Sequence, residues 1–427
     1  MKVVIVGAGS HFGAKLSRDI LSFPEFQQDT TIALCDIDPV KLERVTRHVQ
    51  RLIDGHGLGA KVESSLERRE LLDGADFVVA SISVGGAAYA GFPFTAEVNI
   101  PFQKYGLSQT VADTIGVGGV FRFLRTAPVQ LALCHDMEEL CPKALLLNYT
   151  NPMAMLTWLH SAGSTIANVG LCHSVQHTWA EIAGYLGIPK EEITYYVAGI
   201  NHQAWYLTLR RGSEDLRPQL RACLDDPEIL AKDRVRFELM RYFDYFVTES
   251  TTHCSEYHPY FRRTEAQIEF YGLKTHTARE LPPPSEETAE EPPLPPLDPS
   301  EEYASKIIHA MVTGAPFAFN GNIMNMGLID NLPGNCCVEV PCLVDANGVQ
   351  GCRVGALPTQ LAHLNLTNIA VQELAVEAFL TRSRDRAFQA CALDPLAKSV
   401  LSLEDLRSLF DDLWAVEKEA GLLAHFD

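Results

Sequence analysis

The chain opens Met1-Lys2-Val3-Val4-Ile5-Val6-Gly7-Ala8-Gly9-Ser10, and this stretch decides the fold. Four consecutive β-branched apolar residues read as a buried strand, and the glycines after them read as a tight turn into a helix. A turn that brings backbone close to a phosphate needs residues without a Cβ, and the helix beyond it supplies N–H donors. With Gly13 the spacing is Gly-x-Gly-x-x-x-Gly, one residue longer than the usual dinucleotide fingerprint. Residues 31–36 read as a second strand. Asp36 ends it at the right distance to accept from a ribose 2′-hydroxyl, and an acid there favours NAD over NADP. Asp38 is the rival acid; standing before Pro39, it reads equally as a helix N-cap. Gly7, Gly9, Ser10 and Asp36 are the candidate nucleotide-binding residues.

The alternation continues outward. Residues 39–53 are predicted helical, with Leu42, Val45, Val49 and Ile53 on one face; 77–84 and 145–149 are predicted to be buried strands. Such units build a doubly wound parallel sheet of Rossmann type with helices on both faces. Beyond about residue 190 the pattern changes. Residues 195–209 read as strand, turn and strand; 226–246, 303–312, 367–380 and 401–414 read as helices. Two domains are expected: 1–190 for the nucleotide and 191–427 for substrate, metal and oligomerisation. Residues 281–299 are rich in Pro and Glu with almost no apolar content, and read as an exposed loop.

The 427 residues are 47% hydrophobic and 21% charged, a globular composition. The net charge of -19 argues against nucleic-acid and anionic-membrane partners, which attract Lys and Arg clusters. No apolar run approaches the ~20 residues needed to span a bilayer. Met1-Lys2 leads directly into the first strand, so no signal peptide is expected. The 11 cysteines have no repeating spacing and several sit in apolar strands, which reads as reduced thiols in a cytoplasmic protein.

Two short motifs carry chemistry: Gly170-Leu171-Cys172-His173-Ser174 and Gly199-Ile200-Asn201-His202. A thiolate and an imidazole together suit a divalent transition metal, and by themselves suit Zn, Fe, Co or Ni as well as Mn. Taken singly, Cys172 also reads as a small buried apolar residue and His202 as a satisfied core histidine.

Together with Cys35-Asp36-Ile37-Asp38, Asp113-Thr114-Ile115-Gly116-Val117-Gly118-Gly119, Asn148-Tyr149-Thr150-Asn151-Pro152, Ser255-Glu256-Tyr257, Asn331-Leu332-Pro333 and Val338-Glu339-Val340-Pro341, these motifs resemble, nearly end to end, the NAD- and metal-dependent glycosidases of glycoside hydrolase family 4. The resemblance implies a Rossmann-type sheet followed by an α+β domain like that of lactate and malate dehydrogenases. It implies oxidation of the sugar at carbon 3 by NAD, loss of the carbon 2 proton, elimination of the aglycone, addition of water and return of the hydride. Mn2+ is the family's usual metal, and Cys172 and His202 would hold it. Tyr257 resembles the family's base at carbon 2. Asn151 resembles its substrate-hydroxyl contact, and Asp113 and His173 are candidate proton donors to the leaving oxygen. His253 and His258 flank the tyrosine and read as surface or supporting residues. A homodimer or homotetramer is expected by analogy.

The segment 85–92 contains no arginine, whereas relatives acting on phosphorylated sugars carry one there. An unphosphorylated α-hexoside or α-hexuronide is therefore the expected substrate, with Arg262 or its neighbour Arg263 as the partner for a sugar carboxylate. The competing expectations are an NAD-dependent 2-hydroxyacid dehydrogenase, which needs no metal-binding thiol, and an inactive sensor of sugar or nucleotide.

Overall fold

The computed structural model describes residues 1–86, 91–109, 114–274 and 294–427. In chain order the strands are β1 (Lys2–Val6), β2 (Thr31–Cys35), β3 (Lys61–Ser65), β4 (Phe77–Ala80), β5 (Leu145–Asn148), β6 (Asn168–Gly170), β7 (Thr194–Ile200), β8 (Gln203–Arg211), β9 (Glu214–Asp215), β10 (Phe317–Met324), β11 (Cys337–Asp345) and β12 (Gly348–Gly351). They form one sheet in the spatial order β3-β2-β1-β4-β5-β6-β10-β11-β7-β8-β9, with β12 on β11.

The first six strands of that order are parallel, as in a doubly wound dinucleotide fold. From β10 onward every pairing is antiparallel. The change of style follows from the connections. Parallel neighbours need long crossovers, whereas β7 and β8 are joined by Asn201 and His202 alone, which only an antiparallel pair permits.

β4 and β5 are buried along their whole length, because helices cover both faces of a parallel sheet. β3 lies at the edge and carries exposed Lys61 and Glu63, which discourage further pairing. Helix α1 (His11–Leu21) follows the glycine turn. Helix α2 (Pro39–Gly55) buries Leu42, Val45, Val49, Leu52 and Ile53, the face its periodicity predicts. Each such side chain contributes about 1.5–3 kcal/mol when removed from water. Asp38 caps α2, accepting from the Val40 and Lys41 N–H groups.

Three predicted elements differ. The strand over 77–84 ends at Ala80; its ladder closes with Ser81 N–H to Val6 O, and Gly85 and Gly86 then take positive φ. The helix over 226–246 is two, Pro227–Lys232 and Arg234–Phe243. The break falls at Asp233, whose buried carboxylate accepts from Arg236 Nε at 2.7 and 2.8 Å and from the Tyr185 hydroxyl, 48 residues away, at 3.1 Å, so a tertiary contact overrides helix propensity. The helix over 367–380 starts earlier, spanning Thr359–Thr381 after Pro358.

Of the acidic Pro-rich stretch, residues 281–293 lie outside the described residues. The described end is partly packed: Leu294 lies against Gly55, and Pro295 O is 3.0 Å from His56 Nε2. Among the described residues, no helix is long and apolar enough to cross a membrane.

Candidate active site

The glycine turn is closed by its own backbone. Gly7 and Ala8 both donate to Cys35 O, and Gly7 has φ +88° with a virtual Cβ only 2.2 Å from Ser81 O. No side chain fits there. Gly13, the glycine displaced by one position, is required as well, since its Cβ would stand 2.0 Å from Ala8 O. Ser10 Oγ donates to Gly7 O at 2.8 Å. Asp36 accepts from Gly9 N–H at 2.7 Å and from Asp38 N–H at 2.9 Å, so its carboxylate is fixed beside the turn. Each of its oxygens keeps a lone pair for a ribose hydroxyl. Ile37, 93% exposed beside it, offers an apolar surface for a base. A turn that admits no Cβ at Gly7, Gly9 or Gly13, a helix N-terminus and an anchored acid fit a dinucleotide.

A cavity of about 350 Å³ opens alongside. Asn151, Cys172, His173, His202 and Glu249 line it. Asn151 follows β5, Cys172 and His173 follow β6, and His202 occupies the β7–β8 turn with φ +61°. A register row across the sheet brings these ends together. Gly170 pairs with Asn322, Asn322 with Glu339, and Glu339 with Gly199. Thus β10 and β11, inserted between β6 and β7, bridge the two segments that end in Cys172 and His202.

Burial pushes the Cys172 thiol up, but the charge of His202 and a hydrogen bond from it leave the thiol below its ordinary value. Ser174 N–H, in the first turn of the helix Ser174–Leu186, also points at the sulfur from 3.4 Å. A helix N-terminus favours thiolate. His202 Nδ1 lies 2.9 Å from His253 Nε2 and 3.3 Å from Thr114 Oγ1. Its Nε2 therefore remains on the Glu249 side, 3.4 Å from that carboxylate. Burial raises Glu249, but His202, His253 and the Ser250 N–H overcome it and hold the acid at about 2. Among the described residues no three His, Cys, Asp or Glu side chains converge as a metal cage. Cys172 and His202 supply two donors of types that suit a divalent transition metal, leaving positions for a substrate.

Tyr257 is 1% exposed and stands behind the cavity wall. Its hydroxyl is 2.6 Å from Thr114 Oγ1, which is 2.8 Å from His253 Nε2, and His253 Nδ1 is 2.7 Å from Glu256 Oε2. Its ring centroid is 6.3 Å from that of His202. His253 and His258 are both buried, and burial drives His258 down to about 3. His253 supports His202 directly and is no surface residue. Arg262 is buried and donates to Ser255 Oγ and Ser108 Oγ, knitting the tyrosine turn to the 107–109 segment. It is not among the residues that line the cavity. Asp113 lies outside the described residues.

Three contributors escaped sequence reasoning: Thr114, Glu249 and Glu302. Thr114 sits inside the Asp113–Gly119 motif, next to the acid. Glu249 and Glu302 stand in no recognisable pattern, and only tertiary contact brings them to the site.

A parallel dinucleotide fold whose glycine turn stands beside a cavity lined by a thiol and an imidazole defines the class of nucleotide-dependent enzymes. Residues 2–188 match the family model described as family 4 glycosyl hydrolase, and residues 197–397 match that of the family's C-terminal domain. The chain belongs to family 4 of the glycosyl hydrolases. It is 39% identical over 426 residues to an α-galactosidase of Bacillus subtilis, covering 97% of each chain. It is 30% identical over 383 residues to an α-galacturonidase of Thermoanaerobacterium saccharolyticum, covering 81% of this chain and 80% of that one. Its fold matches a 6-phospho-β-glucosidase of Thermotoga maritima, solved with manganese, NAD+ and glucose 6-phosphate, with a TM-score of 0.78 at 21% identity over 98% of both chains.

Proposed function

We propose that this chain hydrolyses an unphosphorylated α-galactoside, using NAD and a divalent metal, with Mn2+ the first choice. One observation carries the reading: Asn151, Cys172, His173 and His202, from separate segments, line a single cavity beside a dinucleotide turn. When bound, NAD supplies reversible hydride removal at sugar carbon 3, and the metal supplies Lewis-acid polarisation of the hydroxyl oxygens. The protein's residues do the rest. Gly7, Gly9, Ser10 and Asp36 seat the dinucleotide, and Cys172 with His202 would hold the metal. Asn151 orients a sugar hydroxyl. Tyr257 takes the carbon 2 proton, with Thr114 and His253 giving that proton a bonded route toward Glu256. His173 and Asp113 are the candidate donors to the departing oxygen.

The choice of sugar rests on what the wall lacks. A phosphate or uronate group calls for Arg or Lys. Among the described residues lining the cavity there is neither. Arg262 is committed to Ser255 and Ser108, which favours a neutral galactoside over a hexuronide. A 2-hydroxyacid dehydrogenase would have no use for the thiol–imidazole pair. A cytoplasmic location belongs to the same reading, resting on eleven cysteines that are all free thiols.

The test is turnover of nitrophenyl α-galactoside, α-galacturonide and a 6-phosphoglucoside, with NAD and Mn2+ and with EDTA. Galactoside hydrolysis that needs both additions and accumulates no NADH is expected. Preference for the phosphorylated sugar, or net NADH from a hydroxy acid, overturns the reading.

A further inference from the structure

Glu302 stands 129 residues beyond His173 in sequence, yet its Oε2 is 2.7 Å from His173 Nε2. The same carboxylate accepts from Lys15 Nζ at 2.6 Å, and its side chain is 2% exposed. Its place is built. Ser300 bonds through its N–H and Oγ to Asp19 of α1, and Glu302 N–H bonds back to Ser300 Oγ at 3.2 Å. Glu301 pairs with Lys190. Glu302 is the N-cap residue of the helix Tyr303–Thr313, where the helix dipole favours an anion. The imidazole is held on its faces as well: Tyr149 stacks at 5.8 Å and 26°, and His177 at 5.6 Å and 21°.

Burial raises the Glu302 carboxyl, but its bonds and charge contacts with His173 and Lys15 bring it down to about 2. An ionised carboxylate only accepts, so His173 Nε2 must carry the hydrogen. Nδ1 is then the remaining nitrogen, and among the described residues it has no hydrogen-bond partner. A carboxylate that fixes one imidazole nitrogen sets what the other can do.

We infer that Glu302, anchored by Lys15 on the nucleotide-side helix, is a positioning residue that fixes the orientation and Nε2–H form of His173 in the sugar cavity. In that form Nδ1 accepts and does not donate, so of the two candidate donors Asp113 is left for the departing oxygen and His173 orients a substrate hydroxyl. It rests on the proposed function only in giving His173 a substrate to meet.

The test compares Glu302→Ala with Glu302→Gln in the full chain with NAD and Mn2+. Glutamine keeps an acceptor oxygen and alanine does not. Two readouts are taken: steady-state turnover of nitrophenyl α-galactoside, and nitrogen-15 spectra of the histidine side chains, with His173→Asn identifying the His173 signals. The alanine variant should lose at least about tenfold in kcat with KM within about twofold. It should also lose the His173 Nε2–H signature, and glutamine should restore both. Unchanged His173 signals in the alanine variant overturn the inference, as does an equal kcat loss in both variants. A wild-type chain inactive on every glycoside, whose His173 signals still depend on Glu302, would sink the proposed function and leave the positioning role standing.

Discussion

His253 Nε2 lies 2.9 Å from His202 Nδ1, so the inner nitrogen of His202 is occupied and its Nε2 is the one left on the cavity side. That relationship decides how His202 meets a metal. Groups that orient a metal-binding imidazole typically contribute 10–100-fold to affinity. His253→Ala is expected to weaken Mn2+ binding by about 10–100-fold and leave NAD binding unchanged. Metal titration followed by electron paramagnetic resonance, beside NAD titration by fluorescence, checks both halves.

Tyr257 and Glu249 occupy different sides of His202, one behind the wall and one in it. If Tyr257 is the base, Tyr257→Phe should lower kcat by about 10²–10⁴-fold. The carbon 2 deuterium isotope effect should rise, because proton removal becomes more fully rate-limiting. Glu249→Gln should leave that isotope effect near the wild-type value. The reverse pattern would transfer the base role to Glu249.

Asp36 holds Gly9 N–H and faces the expected ribose. A hydrogen bond to a charged group contributes about 1.5–3 kcal/mol. Asp36→Ala should therefore raise the Kd for NAD by roughly ten- to a hundredfold and narrow any preference over NADP. Calorimetric titration with each dinucleotide measures it.

Asp394 gives a pH test independent of activity. Burial, opposed by a 2.7 Å hydrogen bond from Ala397 N–H, raises its carboxyl to about 7. The unfolded chain ionises this group at the ordinary carboxylate range, whereas the folded chain resists until near pH 7. Folding therefore carries no penalty below the ordinary carboxylate range, and stability is lost progressively as pH rises from there to about 7, above which the loss is complete. Asp394→Asn keeps the Ala397 acceptor and removes the charge. Between pH 5 and pH 8 it should lose less stability than wild type, by on the order of 2–4 kcal/mol. Urea midpoints at the two pH values report the difference.

Local pattern explains why the nucleotide half was legible. Val3 to Val6, the glycine turn, Asp36 and the apolar face of α2 lie within about fifty residues and obey one periodicity each. The predicted helix over 226–246 failed for the opposite reason, because Asp233 is held by Tyr185, 48 residues away. Arg262 reads in sequence as a free cation near the tyrosine motif. In the fold, Ser108, 154 residues away, takes up its guanidinium.

The sequence by itself determined the parallel dinucleotide fold, the identity of Cys172, His202 and Tyr257 as candidates, and through them the family. Strand period, glycine position and motif order are properties of neighbouring residues, so they survive without coordinates. Tertiary structure decided that Cys172 and His202 share one cavity, that His253 turns His202 toward it, and that Glu302 reaches His173. Those outcomes depend on β10 and β11 pairing between β6 and β7, and on a segment after residue 293 folding back along α1. Such long-range register is fixed by packing of the whole sheet, which no local stretch of sequence encodes.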